Sequence, residues 1–333
     1  MIRNVQFQTV LDALLDNETP FPARYMHHFS DMTPTDLTIL LKGWPQISTR
    51  RKHTLLDDLE ELSETDTLTN LDDMARPLLT DDDPQVRVRA IRLLWENEDS
   101  KLVPIFLKLM NKDADTEVRA AAANALGLFV YQGELEKIPA KLHRRIEDAL
   151  LKATTSAKET LLRRRALESL GYSSRQEVIP LIDAAYHDKN PDWVVSALFA
   201  MGRSSDEHWK KQVLSKLHAP DDDIRSEAIH AAGELELVSA RSILLDLLED
   251  EEDLEQRREL IWALSKISGE GVRDRLEELL DAETDDEEAG FIEEAMDNLA
   301  FNEDMSQFGL FDLDPEADLH EEELDEEDEL DSD

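Results

Sequence analysis

One short pattern recurs along this chain, and it constrains the fold more than any other feature. DDDPQVRVRAIRLLWE begins at Asp81, DADTEVRAAAANALG at Asp113 and DDDIRSEAIHAAG at Asp221. In each, an acidic residue is followed three places on by Val or Ile, then Arg, then Ala three later. Aligned on that Val or Ile, further segments fall into the same register. Val86, Val118, Leu162, Trp193, Ile224, Gln256 and Phe291 hold the first position. Four residues on stand Ala90, Ala122, Ala166, Ala197, Ala228, Leu260 and Ala295, and eight on stand Leu94, Leu126, Leu170, Met201, Ala232, Leu264 and Leu299. The next position is glycine in four units, at Gly127, Gly171, Gly202 and Gly233, with spacings of 44, 31 and 31 residues. Self-similarity at such periods is the signature of a solenoid.

The unit has a helical logic. Ser48, Asp83, Asp115, Asn190, Asp221 and Asp253 precede the register position by three, where a short side-chain oxygen can cap the first turn. Pro84 and Pro191 follow two of them, at the one helical position that needs no N–H. The apolar residues at offsets 0, 4, 5, 7 and 8 share one face. Alanine keeps that face thin, and the closing glycine suits a left-handed cap. A second amphipathic segment precedes each of these, as in KLVPIFLKLMNKD from Lys101, EVIPLIDAAYHDK from Glu177 and ARSILLDLLEDEED from Ala240. Neither helix can hide its apolar face alone, so stacked pairs must share a core.

Composition agrees. The chain has 333 residues, 10 Gly, 12 Pro and no Cys, which favours helix and rules out disulfides and thiolate metal sites. The N-terminus does not read as a secretory signal, and no stretch reaches the roughly 18–20 apolar residues of a membrane span. A cytoplasmic location is the expectation. Of the net charge of −41, the segment from Asn302 carries −16 and the rest −25. Such a body repels nucleic-acid phosphate and favours partners with a basic surface.

Val103-Pro104 with Leu107, then Asp115, Val118-Arg119, Ala122 and Ala125-Leu126-Gly127, resembles the HEAT-like repeat named after phycobilisome lyases, and Ile179-Pro180-Leu181 repeats its first half. The resemblance spans roughly residues 69–300, about seven helix pairs, and residues 35–63 look like a diverged eighth. It implies an all-α, right-handed α-solenoid, an armadillo-like superhelix, over residues 35–301. A helical cap over 1–34 and an acidic tail over 302–333 complete the expected organisation. It also implies that Arg87, Arg119, Arg163, Arg225 and Arg257 form an Asp–Arg ladder between neighbouring repeats, a role that suits the rigid guanidinium fork.

The sequence offers little catalytic chemistry. A di-iron hydroxylase-like repeat protein needs repeated His-Glu pairs, and here His-Glu occurs once, at His320-Glu321. His27-His28 has no counterpart at repeat spacing. Nucleotide-binding glycine motifs are absent. No catalytic, cofactor or metal residue is assigned, and catalysis itself stays open.

Binding residues are more legible. On a 100° step the apolar offsets centre near about 60°, so offset 6 points away from the core at about 240°. The resemblance places that side on the concave surface. The row reads Arg92, Asn124, Glu168, Phe199, His230 and Trp262, with Arg258 one turn from Trp262. Aromatics beside arginine are interface chemistry. A basic island also interrupts the acidic body: Lys137, Lys141, Arg144, Arg145, Lys152, Lys158 and Arg163-Arg164-Arg165. It coincides with the longest repeat spacing, which predicts an insertion or a longer first helix there. Phe308, Leu310, Phe311 and Leu313 stand ahead of the acidic run as a docking or capping segment, with disorder expected beyond about Asp314. Complementary charge makes an intramolecular contact between tail and island a hypothesis. The reading is a non-catalytic scaffold that binds a protein. Its alternatives are a lyase-like or hydroxylase-like repeat enzyme and an acidic chaperone or nucleic-acid mimic.

Overall fold

The computed structural model describes residues 6–66 and 68–307. These residues are helical, with no strand among them. After α1 (Phe7–Leu15) and a 3-10 segment (Ala23–Phe29), the helices come in pairs. In the unit formed by residues 1–200 these are α2 (Pro34–Gly43) with α3 (Thr49–Thr65), α4 (Asp72–Leu78) with α5 (Pro84–Arg92), α6 (Val103–Lys112) with α7 (Thr116–Glu134), and α8 (Ala140–Ser156) with α9 (Thr160–Leu170). The pair α10 (Ile179–Tyr186) and α11 (Pro191–Arg203) runs to the boundary with the second compact unit, residues 201–333. That unit holds α12 (Lys210–Leu214) with α13 (Asp222–Glu234), α14 (Arg241–Asp250) with α15 (Leu254–Ile267), and α16 (Val272–Ala282) with α17 (Asp286–Gln307). Among the described residues the fold is all-α, built of helix pairs that stack within each unit.

The register explains the packing. Val86, Ala90 and Leu94 are buried, as are Val118, Ala122 and Leu126, and Leu162, Ala166 and Leu170. The second helices stack on one another as well as on their partners: α5 on α3 and α7, α7 on α9, α13 on α15, α15 on α17. Asp83, Asp115, Asp221 and Asp253 each accept a hydrogen bond from a backbone N–H two or three residues on, and Asn190 does the same for Asp192. Ser48 departs from that expectation. Its hydroxyl donates to Asn17 at 2.7 Å and caps nothing.

The recurrent glycines also behave differently from the expectation. Gly127 lies inside α7, Gly233 inside α13, and Gly171 has φ −51°. None is a left-handed cap. The reason at two of them is close approach between second helices. A Cβ on Gly233 would sit 2.9 Å from Ala263 Cα, and one on Gly202 would sit 3.2 Å from Ala231 Cα. The wide spacing between Gly127 and Gly171 comes from two long helices, because α7 has 19 residues and α8 has 17. At the other end, α17 continues to Gln307, past the start of the segment read as tail.

Candidate functional site

The motif arginines are engaged in the structure, but not by one kind of partner. Arg87 forms a two-pronged pair with Asp113, Nε at 3.0 Å and Nη2 at 2.7 Å, and donates to the Asp81 carbonyl at 2.8 Å. Arg119 pairs with Glu159 at 2.9 Å and donates to the Met110 carbonyl. Arg257 pairs with Glu283 at 3.2 Å. Arg163 and Arg225 find no acidic partner in the next repeat, where the ladder expects one. Arg163 donates to the Thr154 carbonyl and lies 5.1 Å from the centre of the Trp193 ring. Arg225 donates to the Gln256 side-chain oxygen at 2.7 Å and to Asp222 at 2.8 Å. Trp193 and Gln256 hold the register position that is valine in earlier repeats, and both are only half-buried. There the position serves the preceding arginine instead of the core.

Arg92 and Asn124 are exposed as the helical wheel expects, but from Glu168 onward the offset-6 row does not point straight out. Glu168 is buried, 2 % exposed, where it accepts hydrogen bonds from Ser196 at 2.6 Å and Arg165 at 2.6 Å. His230 is half-buried against Glu259 and Glu234. Trp262 is half-buried with its ring 6.3 Å from that of Phe291, and Phe199 is half-buried. The cause is the stacking of second helices. In the Glu168–Ser196 and His230–Glu259 pairs, the offset-6 side chain reaches sideways to offset 3 of the next repeat. Arg258 is likewise occupied: it pairs with Glu287 at 3.1 Å and with Glu288, and lies 5.5 Å from the Phe291 ring centre.

The row opens in the first unit. A cavity of about 650 Å³ is lined there by residues of α3, α5, α7 and α9, with Arg92, Trp95, Asn124 and Arg165 on its walls beside Glu60, Glu64 and Glu117. Trp95 is 61 % exposed. Arg92 is exposed too and lies 3.7 Å from Glu60. Burial raises the Glu60 carboxyl above its usual range, Glu64 and Asp57 add to the rise, and Arg92 opposes it. Trp95 is absent from the sequence-derived site. The signal was present, because it occupies the position taken by glycine in four other repeats.

The basic island divides in two. Arg164 is committed to Asp192 at 2.8 Å and Ser196 at 2.9 Å, and Arg165 to Glu168. On α8, Lys141, Arg144, Arg145 and Lys152 share the exposed face. None of the four side chains has a hydrogen bond or ion pair with a described residue; Asp148 on the same face is taken by Arg175 at 2.6 Å. Phe308, Leu310, Phe311, Leu313 and His320-Glu321 lie outside the described residues. His27 is exposed. No described helix is long and apolar enough to cross a membrane.

A family model for HEAT repeats matches residues 73–140 and 211–296. Those two stretches carry HEAT repeats. Among solved structures, it resembles the Escherichia coli protein YibA at 17 % identity and a TM-score of 0.41, over 86 % of this chain and 99 % of that one. It resembles the CpcE–CpcF phycocyanin lyase complex from Nostoc sp. PCC7120 at 18 % identity and 0.47, over 68 % and 94 %. Human deoxyhypusine hydroxylase follows at 18 % and 0.34, over 78 % and 95 %. No curated protein matches the chain.

Proposed function

We propose that this chain is a non-catalytic scaffold that holds another protein in the groove between α3, α5, α7 and α9. One observation carries the reading: Trp95 stands 61 % exposed beside Arg92 on the wall of a cavity of about 650 Å³. Large exposed aromatics next to arginine are where interface energy concentrates. The opposite charges on the walls select the partner's chemistry. Glu60, Glu64 and Glu117 line the groove of a chain with net charge −41, so a segment carrying a basic and an apolar side chain fits it. Phe199, His230, Arg258 and Trp262, being half-buried or paired, have a flanking role in this reading. The test is affinity purification from the native cell with the wild type and a Trp95→Ala/Arg92→Ala variant, both checked for helix content by circular dichroism. A stoichiometric partner recovered by the wild type should bind the variant at least about 30-fold more weakly, as the loss of a hot spot of about 2 kcal/mol requires. Recovery of the same partners by both proteins would reject the groove.

The unpaired face of α8 supports a second contact. Lys141, Arg144, Arg145 and Lys152 offer four cations to an acidic sequence, and the chain's own segment 303–333 is the candidate in this reading. Crosslinks from that segment to Lys141 or Lys152 should appear at low salt and fade as salt screens the attraction. Their absence at low salt would sink the idea.

A further inference from the structure

Three potential ligand atoms converge where α7 turns into α8. Glu134 ends α7, and His143 and Glu147 lie one turn apart on α8. One ligand atom from each lies within 4.8 Å of the other two. His143 Nε2 stands 3.6 Å from Glu134 Oε1 and 3.7 Å from Glu147 Oε1. Both separations exceed a hydrogen bond, and Nε2 is a buried polar atom without a partner. A buried orphan of this kind calls for an explanation.

The spacing has a chemical meaning. Ligand atoms bonded at 2.0–2.2 Å around a tetrahedral ion are separated by about 3.3–3.6 Å. The edge to Glu134, 3.6 Å, meets the top of that interval, and the edge to Glu147, 3.7 Å, lies just above it. The surroundings are built for the same purpose. Ser173 Oγ donates to Glu147 Oε1 at 2.5 Å, and the Ser174 N–H donates to Glu134 Oε1 at 3.0 Å, so the two facing carboxylate oxygens are each held from outside. The imidazole is held by the backbone of α7: a Cβ on Gly133 would fall 2.2 Å from the ring. Glu147 is 4 % exposed, and Arg175, 4.0 Å from its other oxygen, is itself paired with Asp148 and Glu177.

We propose that Glu134, His143 and Glu147 form a three-ligand site for a divalent first-row cation of the zinc type, which pins the α7–α8 turn. One nitrogen and two carboxylate oxygens, with no thiolate, suit Zn²⁺ or Co²⁺ with a water in the remaining position. The chain's acidic surface binds cations weakly everywhere, so the test must report coordination geometry. The full chain is stripped with a chelator and titrated with Co²⁺ while the visible ligand-field absorption is recorded. The expected result is one equivalent of Co²⁺ with the intense bands of a four-coordinate ion. Those bands should vanish in His143→Gln and in Glu147→Gln. Gly133→Ala removes no ligand but displaces the ring and should abolish them too. Ser173→Ala should weaken binding about tenfold. A wild-type titration showing only the faint bands of six-coordinate surface Co²⁺ would overturn the proposal, as would intense bands that survive His143→Gln.

Discussion

The contact between Arg87 and Asp113 is a two-pronged, little-exposed rung between two repeats and a direct place to measure what the motif arginine contributes. Arg87 and Asp113 side chains are 13 % and 8 % exposed, and the guanidinium meets both carboxylate oxygens. Arg87→Ala removes that fork and the bonds to the Asp81 and Asp82 carbonyls. Breaking a buried pair from one side costs about 3–5 kcal/mol, because the other charge is stranded. Asp113 is not wholly stranded, since it keeps the Asp115 N–H at 2.9 Å and a small solvent exposure. The loss should therefore be about 2–4 kcal/mol. In a stacked-repeat protein the damage stays near the broken rung. Hydrogen exchange read by mass spectrometry should show amides of residues 84–92 and 103–112 exchanging about 30- to 1,000-fold faster, with residues 222–234 unchanged. Arg87→Lys should recover only part of the protection, because an ammonium cannot reproduce the fork. A change below threefold in those helices, or an equal change over residues 222–234, would refute the reasoning.

Two further perturbations test neighbouring parts of the argument. Burial tends to lower the His230 pKa, but the Glu259 hydrogen bond and the charges of Glu227, Glu259 and Glu234 outweigh it, and the net direction is upward. A raised folded pKa means that the stabilisation is fully present below the unfolded value of about 6.5 and is lost as pH rises through the folded value. Urea midpoints of the wild type and His230→Gln should therefore converge as pH is raised above about 6.5, and a constant gap would argue against a charged His230. At the α13–α15 contact, Gly233→Ala places a methyl 2.9 Å from Ala263 Cα, against backbone that cannot swing aside. It should cost about 1–3 kcal/mol although alanine is the better helix former. A stabilised variant in thermal melts would show that the closing glycines serve some other purpose.

Much of the fold was legible because it repeats. Asp83, Asp115, Asp221 and Asp253 cap helices for the local reason that their oxygens sit two or three residues before free N–H groups. The pairing of helices follows from apolar faces too wide to leave in water. The functional surface was less legible, because a single-helix wheel contains no neighbouring repeat. It sends Glu168 outward, whereas the stacked helix beside it brings Ser196 to within 2.6 Å and makes that position interior. The same blindness affects the glycines, whose reason is an alanine backbone about 30 residues away. Trp95 is the instructive miss. It carried a sequence signal, a large aromatic where four repeats have glycine, but that position reads as a helix end until the packing shows what lies next to it.

The arginines connect these observations. A chain of net charge −41 has few cations to spare, and many of its arginines bind one helix pair to the next. Arg87, Arg119, Arg164 and Arg257 are satisfied by carboxylates of the next repeat, Arg163 by a carbonyl and a ring, and Arg225 by a carbonyl, an amide oxygen and the Asp222 carboxylate of its own helix. A cation left outside this scheme is therefore conspicuous. On α8 four such cations share one face, and in the groove Arg92 is held only at 3.7 Å from Glu60 while remaining exposed. A pair that loose and wet contributes little to stability, about 0–1 kcal/mol. Arg92→Ala should then leave the melting temperature nearly unchanged while weakening partner capture, the opposite pattern from Arg87→Ala. That contrast separates a binding arginine from a structural one within a single repeat. Equal losses of stability in the two variants would mean that Arg92 belongs to the ladder and that the groove must be read without it.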